Sequence, residues 1–359
     1  MVKVYTIFKN KTSLQETACG LFCMPQTIQT NCHNQPHKLP AGRAAARRES
    51  CIVLKKIGSL NIFSVMKITG IAIVRNAIIN DYPAVEAISS ILPVVDEMIV
   101  SIDKGDDDTD GLIRSIQSNK LKIVYSTWDM SLRKGGVVYA LETNKVMRQV
   151  SPDTDWIFYI QADEVIHEKY HHVIRTTAEK YCNEPRVDGL LFQYLHFYGT
   201  YDYVGDSRKW YKSEVRLIKN DQTISSYKDA QGFRRGVKKI NVVPVEAEVY
   251  HYGWVKSPEQ MKKKQKNVVR FYNDDDKIVN DFLSEPDFFD YSAFDSIRRF
   301  NGLHPLVMQK RIEAKNWQVT LNTSKKKFSP KEWLLYKAEQ LTGKRLFTFR
   351  NYKILRGLR

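Results

Sequence analysis

The sequence predicts an α/β protein: a mixed, mostly parallel, Rossmann-like sheet flanked by helices, followed by a helical C-terminal region. Three observations carry this. Short apolar runs recur between residues 68 and 160 with helical patterns between them, the alternation that produces βαβ units. The runs are apolar at successive positions, as strands covered on both faces must be. Each of three runs stops at polar residues, which is how strands meet the ligand-binding edge of an open sheet.

Taken in order, residues 1–50 lack sustained periodicity, are rich in Gln, Asn, Thr, His and Pro, and end in Arg43, Arg47 and Arg48. Little fixed structure is expected there. Residues 1–66 are read as a basic leader, and Met66 as the expected true start, with what precedes it an artefact of gene calling or dispensable. Strand 68–74, with its run Ile71-Ala72-Ile73-Val74, opens the folded part. A helical pattern over 82–92, strand 97–102 ending at Asp103, helix 109–118, strand 121–126, helix 136–149 and strand 156–160 follow. After helix 169–181, the strands 190–198 and 214–218 read as mixed-sheet additions. Helical patterns at 257–273, 288–300, 305–316 and 330–341 complete the chain. The predicted units are a leader (1–66), an α/β domain (67–255) and a helical basic extension (256–359).

A chain of 359 residues with 43% apolar content is ample for a buried core. Its net charge of +16 is unevenly spread. Residues 1–66 carry nine Lys or Arg against two acids, residues 67–300 carry 33 against 35, and residues 301–359 carry 14 against three. A near-neutral centre with basic ends argues against a nucleic-acid groove and suits an anionic membrane surface or anionic acceptor. Four of five cysteines (Cys19, Cys23, Cys32, Cys51) lie in the leader, at spacings of neither a disulfide scaffold nor a familiar zinc site, even with His33 and His37 close by. This suggests a reducing, cytoplasmic compartment. Lys55, Lys56, Lys67 and Arg75 interrupt the most apolar stretch, so no run reaches the length of a membrane span.

The candidate site residues are those that end strands: Arg75-Asn76, Asp103 and Asp163-Glu164. Single polar residues at strand ends often do no more than cap turns, but three on one rim point to a site. Arg216, alternating with Val215, is a candidate phosphate or acceptor contact. The runs Lys262-Lys263-Lys264 with Lys266, and Lys325-Lys326-Lys327 near Trp317, Phe328 and Trp333, suit anionic lipid or a phosphate-bearing acceptor.

The order of a strand with Arg75-Asn76, a strand with Asp103 and a Gly/Asp/Thr loop (104–111), Arg133-Lys134 before a helix, and a strand ending Gln161-Ala162-Asp163-Glu164 resembles the family-two glycosyltransferases of the GT-A fold, of bacterial type. The resemblance covers about residues 67–270. It implies that Asp103 meets the base or ribose of a nucleotide sugar, with Arg75, Asn76 and Lys134 also on the donor. It implies that the acidic motif, principally Asp163 with Glu164, holds Mg²⁺ or Mn²⁺ against the donor diphosphate, whose developing charge a hard cation stabilises. Gln161 stands where the family motif usually begins with Asp. His251 resembles a later histidine that approaches the metal or phosphates. Asp229 occupies the segment where related enzymes carry the base that an inverting transfer needs, with Glu214 second.

These readings together lead to the expectation of a hexosyltransferase-like enzyme, cytoplasmic and peripheral on the inner membrane face, that acts in polysaccharide biosynthesis on a glycan or lipid-linked acceptor. A sugar-phosphate nucleotidyltransferase is the related alternative, but Arg75-Asn76-Ala77 is a poor substitute for the Gly-rich phosphate loop it would need after the first strand. A non-enzymatic basic binding protein or a degenerate scaffold is the remaining one.

Overall fold

The computed structural model describes residues 66–358; the leader, with its four cysteines, His33 and His37, lies outside the described residues. Four parallel strands form the N-terminal half: β1 (Ile68–Val74), β2 (Glu97–Asp103), β3 (Leu121–Ser126) and β4 (Trp156–Tyr159). They stand in the order β3-β2-β1-β4 and are linked by α1 (Ala84–Ile91), α2 (Thr109–Arg114) and α3 (Val137–Met147). Every residue of β1 and β4 is buried, which explains why both read as unbroken apolar runs.

The second half departs from parallel order. After the short β5 (Glu164–Ile166) and α4 (His171–Lys180), the long β6 (Gly189–Gly205) and β7 (Ser213–Lys219) run antiparallel to each other, and β7 pairs antiparallel with β4. A separate three-stranded sheet, β8 (Ile224–Tyr227), β9 (Gly232–Arg235) and β10 (Lys238–Lys239), precedes β11 (Asn241–Val255). β11 lies parallel to β6 and antiparallel to β5. With β12 (Ile297–Arg299) and β13 (Lys353–Ile354), the result is a mixed sheet in the order β13-β11-β6-β7-β4-β1-β2-β3, with β12 on β6 and β5 on β11.

One face of the sheet packs on α1 and α4 through Ile88, Ile91, Ile174 and Ala178. The other packs on α3 and the β8–β9 hairpin through Val138, Val146, Ile224 and Phe233. Helices α5 (Pro258–Val268), α6 (Asp276–Leu283), α7 (Gln309–Glu313) and α8 (Pro330–Thr342) fill the C-terminal region. Their starts are chemically marked: Ser257 accepts from the amide of Gln260, Asp275 from those of Lys277 and Ile278, and Ser329 with Glu332 forms a capping box.

Three stretches differ from the sequence expectation. The helix expected at 288–300 is absent: Pro286 and an Asp290 turn that accepts from the Ser292 amide break it, and Phe289, Tyr291 and Phe294 pack from irregular chain against Tyr198 and Trp254. The strand β12 (Ile297–Arg299) follows, and β13 (Lys353–Ile354) returns to pair with β11, so the helical extension also lends edges to the main sheet. β11 itself was not foreseen as a strand, although Val245, Ala247 and Val249 are buried in alternation with Glu246 and Glu248.

Candidate active site

β1 lies between β2 and β4, so the residues that follow the carboxyl ends of these strands gather at one rim of the sheet. Here the Arg75 guanidinium ion-pairs with Asp103 and donates to the Lys104 carbonyl at 3.0 Å. Asp103, buried, also accepts from the Trp128 amide at 2.8 Å. Asn76 adopts a left-handed backbone (φ 52°), and its side-chain amide exchanges two hydrogen bonds with Asp106, at 2.8 and 2.9 Å. Any side chain at Gly105 would collide with that amide. Arg75, Asn76 and Asp103 therefore brace one another into the floor of the rim.

The neighbours Asp163 and Glu164 have opposite fates. β5 pairs antiparallel with β11, which turns Glu164 inward: its side chain is 0% exposed and takes a bidentate ion pair, both distances 2.7 Å, from an equally buried Arg216. The Tyr194 hydroxyl donates to it at 2.9 Å and the Gln161 amide at 3.2 Å. The expected metal role of Glu164 and phosphate role of Arg216 find no free atoms there, because each charge is used on the other inside the core. Asp163 stays on the rim, with 15% of its side chain exposed. Lys264 from α5 reaches it at 3.2 Å and also donates to the Gly253 carbonyl at 2.9 Å. Burial alone would raise the Asp163 carboxyl, but the Lys264 ammonium overcomes this and holds it well below the usual carboxylate range. A Cβ on Gly253 would stand 2.5 Å from the Asp163 carboxylate and 2.8 Å from the His251 ring, so only glycine lets these two approach.

The tautomer of His251 follows from its partners. Burial lowers its pKa to about 4 and that of His196 well below the ordinary value, so both rings are neutral near pH 7. The Tyr211 carbonyl can only accept, which makes His196 Nε2 the donor at 2.8 Å. His196 Nδ1 must then accept from His251 Nδ1 at 3.2 Å. This leaves a lone pair on His251 Nε2, 3.7 Å from an Asp163 oxygen. Two electron-pair donors thus converge, with a second-shell relay fixing one of them, as in histidines that ligate metals. Among the described residues no group of three or more His, Cys, Asp or Glu could hold a metal, so any ion held at this pair takes its remaining ligands from elsewhere.

Asp229 sits at the β8–β9 turn between two left-handed residues, Lys228 (φ 56°) and Ala230 (φ 58°), a strained placement of the kind that recurs at functional sites. A Cβ on Gly136, which precedes α3, would lie 2.8 Å from the Asp229 Cβ and 2.9 Å from the Tyr272 ring. The Asp229 carboxylate has no hydrogen bond or ion pair to another described residue. Burial first, then the charges of Asp163 and Asp229, raise the hydroxyl pKa of Tyr139, so both carboxylates are felt at one tyrosine. Glu214 is more enclosed: Gln231 donates to one oxygen at 3.0 Å, the other is buried without a partner, and burial pushes its pKa up to about 8. It is a neutral acid near pH 7, which leaves Asp229 the better-placed base.

Lys134 points to solvent, its side chain 86% exposed and 3.9 Å from Asp274. Its neighbour Arg133 is the inward one, pairing with Asp276 at 2.6 Å while its Nε and Nη2 are buried without partners. The indole N–H of Trp128 and the hydroxyl of Tyr272 are likewise buried and unpartnered. Trp128 and Arg133 between β3 and α3, Tyr272 past α5, and Lys264 are what the sequence reading missed as site residues. Of the α5 lysines expected to face lipid, Lys262 and Lys266 are instead tied to Glu285 and Asp287, each at 2.6 Å. Lys256 is buried beside Lys264, and burial followed by that neighbouring charge lowers its pKa to about 7. Both ammonium groups lie over the Tyr82 ring, at 4.6 and 5.5 Å.

The chain matches no family model and no curated protein. Among solved structures it is similar to S. aureus TarS (16% identity, TM-score 0.33), over 61% of this chain and 42% of that one. It is also similar to 4-diphosphocytidyl-2C-methyl-D-erythritol synthase from Anaerococcus prevotii (10%, 0.28), over 69% and 93% of the two chains. A third is glucosyl-3-phosphoglycerate synthase from Mycobacterium tuberculosis, in complex with Mn²⁺, uridine diphosphate and phosphoglyceric acid (16%, 0.26), over 36% and 43%. The chain spans about two fifths of the length of the full TarS structure. The chain's own build is a mixed α/β one, with a mostly parallel sheet flanked by helices.

Proposed function

We propose that this chain is an inverting glycosyltransferase that moves a sugar from a nucleotide diphosphate donor to a hydroxyl of a glycan or lipid-linked acceptor. One observation carries the reading: a charge-compensated carboxylate, Asp163 with Lys264, and an uncompensated one, Asp229, both act on the Tyr139 hydroxyl near the carboxyl rim of a parallel sheet. The Asp103 loop and the unpartnered donors of Trp128 and Arg133 are placed for the nucleotide and its phosphates. Asp229 takes the proton of the acceptor hydroxyl as its oxygen bonds to the anomeric carbon. The bond from that carbon to the diphosphate breaks, and its electron pair leaves with the phosphate oxygen. Lys264 stabilises the charge that develops there, in a setting where fixed charges act strongly.

Asp163 and the free Nε2 of His251 fit a hard divalent ion, Mg²⁺ or Mn²⁺, completed by donor oxygens. When bound it supplies further neutralisation of the leaving diphosphate. Such an enzyme would work where nucleotide sugars are made, in the cytoplasm. The collapsed Asn76–Gly105 contact after β1 leaves no glycine cradle of the kind a nucleotidyltransferase needs.

The test is a thermal-shift screen of nucleotide sugars with and without Mn²⁺, followed by turnover with the best donor. A ligand at 100 times its Kd should stabilise the protein by about 2.7 kcal/mol. Asp163→Asn should lose this stabilisation and lower turnover by about 10²- to 10³-fold. Full turnover in that variant would refute the reading.

A further inference from the structure

Helix α8 turns large apolar side chains outward, although a helix of a globular protein normally turns its apolar residues to the core. Its protein side is polar. Glu339 is held by Arg208 and Arg345, both at 2.9 Å, and the Tyr336 hydroxyl donates to Asp206 at 3.1 Å. The helix has a capping box at its start and a left-handed Gly343 at its end, and none of its residues is buried. At 100° per residue, Trp333, Lys337, Leu341 and Leu334 fall within one 100° arc of the opposite side. Trp333 is 52% exposed, Leu334 63% and Leu341 86%. Just past the helix the chain exposes Phe347 and Phe349, 90% and 72%, with Phe347 in the left-handed region (φ 53°) and Lys239 over the Phe349 ring.

The same segment is strongly basic. Residues 325–358 hold ten Lys or Arg and two Glu, and both glutamates are engaged in the capping box or the Arg208/Arg345 pairing. Lys331, Lys337, Lys344 and Arg350 are exposed beside the apolar residues. A protein partner of matching shape is not required to explain such a face: a Trp, Leu and Phe surface rimmed by lysines fits an interface that is apolar below and anionic above. We infer that α8 and residues 344–350 form a docking face for an anionic membrane surface. The helix lies in the headgroup plane, Trp333, Phe347 and Phe349 enter the acyl boundary, and the lysines meet lipid phosphates. This stands independently of the transferase reading, because no residue of the face belongs to the candidate site.

The experiment is vesicle sedimentation of the full chain with phosphatidylcholine vesicles, with or without one third phosphatidylglycerol. Binding to the anionic vesicles should exceed that to the neutral ones by about tenfold and weaken as salt rises. The triple variants Trp333→Ser/Phe347→Ser/Phe349→Ser and Lys331→Glu/Lys337→Glu/Lys344→Glu should each reduce it by about tenfold with melting temperature unchanged, as exposed positions allow. Equal binding to both vesicle types overturns the proposal. So does binding that survives both variants, which would assign it to another basic segment such as residues 1–66. A micromolar dimer in sedimentation velocity that the aromatic variant abolishes would also overturn it, because a second copy would then cover the face.

Discussion

Asp163 and Glu164 are adjacent in sequence and identical in charge, yet one faces the rim and the other is sealed in the core. Glu164 meets a guanidinium in a two-pronged, fully enclosed pair. Asp163 meets a lysine at the end of a flexible stem, a neutral imidazole and an opening. The difference is one of mobility of the counter-charge: a fork that matches the carboxylate on both oxygens fixes structure, whereas a single ammonium can exchange for another cation or follow a phosphate. An acidic pair after a strand thus divides into a structural and a chemical member, and the pairing of β5 with β11 decides which is which.

The largest expected effect tests the chemical side. Asp229→Asn should lower kcat by about 10²- to 10⁴-fold with little change in melting temperature, read by donor turnover and calorimetry. Loss of folding instead would place Asp229 with Glu164 on the structural side. Glu164→Gln should do the opposite, costing about 3–5 kcal/mol by stranding Arg216 in the core. Chemical denaturation would show this cost, and an unchanged midpoint would break the contrast between the two neighbours.

Glu214 sharpens the comparison through pH. Its folded pKa, about 8, lies above the ordinary carboxyl value, so its neutral form is the one the fold favours. Stability from this group is complete below about pH 4.5 and is lost as pH rises toward 8, by a few kcal/mol at most. Glu214→Gln should therefore gain stability on wild type between pH 5 and 8, with the gap level above that; a constant gap would show that the carboxyl ionises freely. The smallest effect is expected of Lys134→Ala, within about 0.5 kcal/mol in stability and twofold in nucleotide affinity. Arg133→Ala, which removes two buried donors, should weaken nucleotide binding more than Lys134→Ala does.

The parallel half of the sheet was legible because strands buried on both faces leave continuous apolar runs, and β1, β2 and β3 lie within a residue or so of where those runs place them. The rim followed, since a strand's last apolar residue marks its carboxyl end. What the sequence did not disclose were pairings across distance. Nothing local says that Arg216 reaches Glu164, 52 residues away, and not a phosphate. Lys264 stands in a run of lysines that looks solvated, and only the docking of α5 on the rim selects it for Asp163. Arg133 and Lys134 are adjacent, yet one is turned inward and the other to solvent, a difference that composition does not encode.

The relay behind His251 ends on a main-chain oxygen, that of Tyr211. That hydrogen bond needs no particular side chain at 211, although the Tyr211 ring also packs edge-on against the His196 imidazole, 4.3 Å between centroids. Positions 196 and 251 have no such freedom, because His196 must both give and receive a hydrogen bond and His251 must give one while its other nitrogen stays free. The availability of one nitrogen lone pair at the rim is thereby inherited through the path of the chain, and through two rings, without a carboxylate to enforce it.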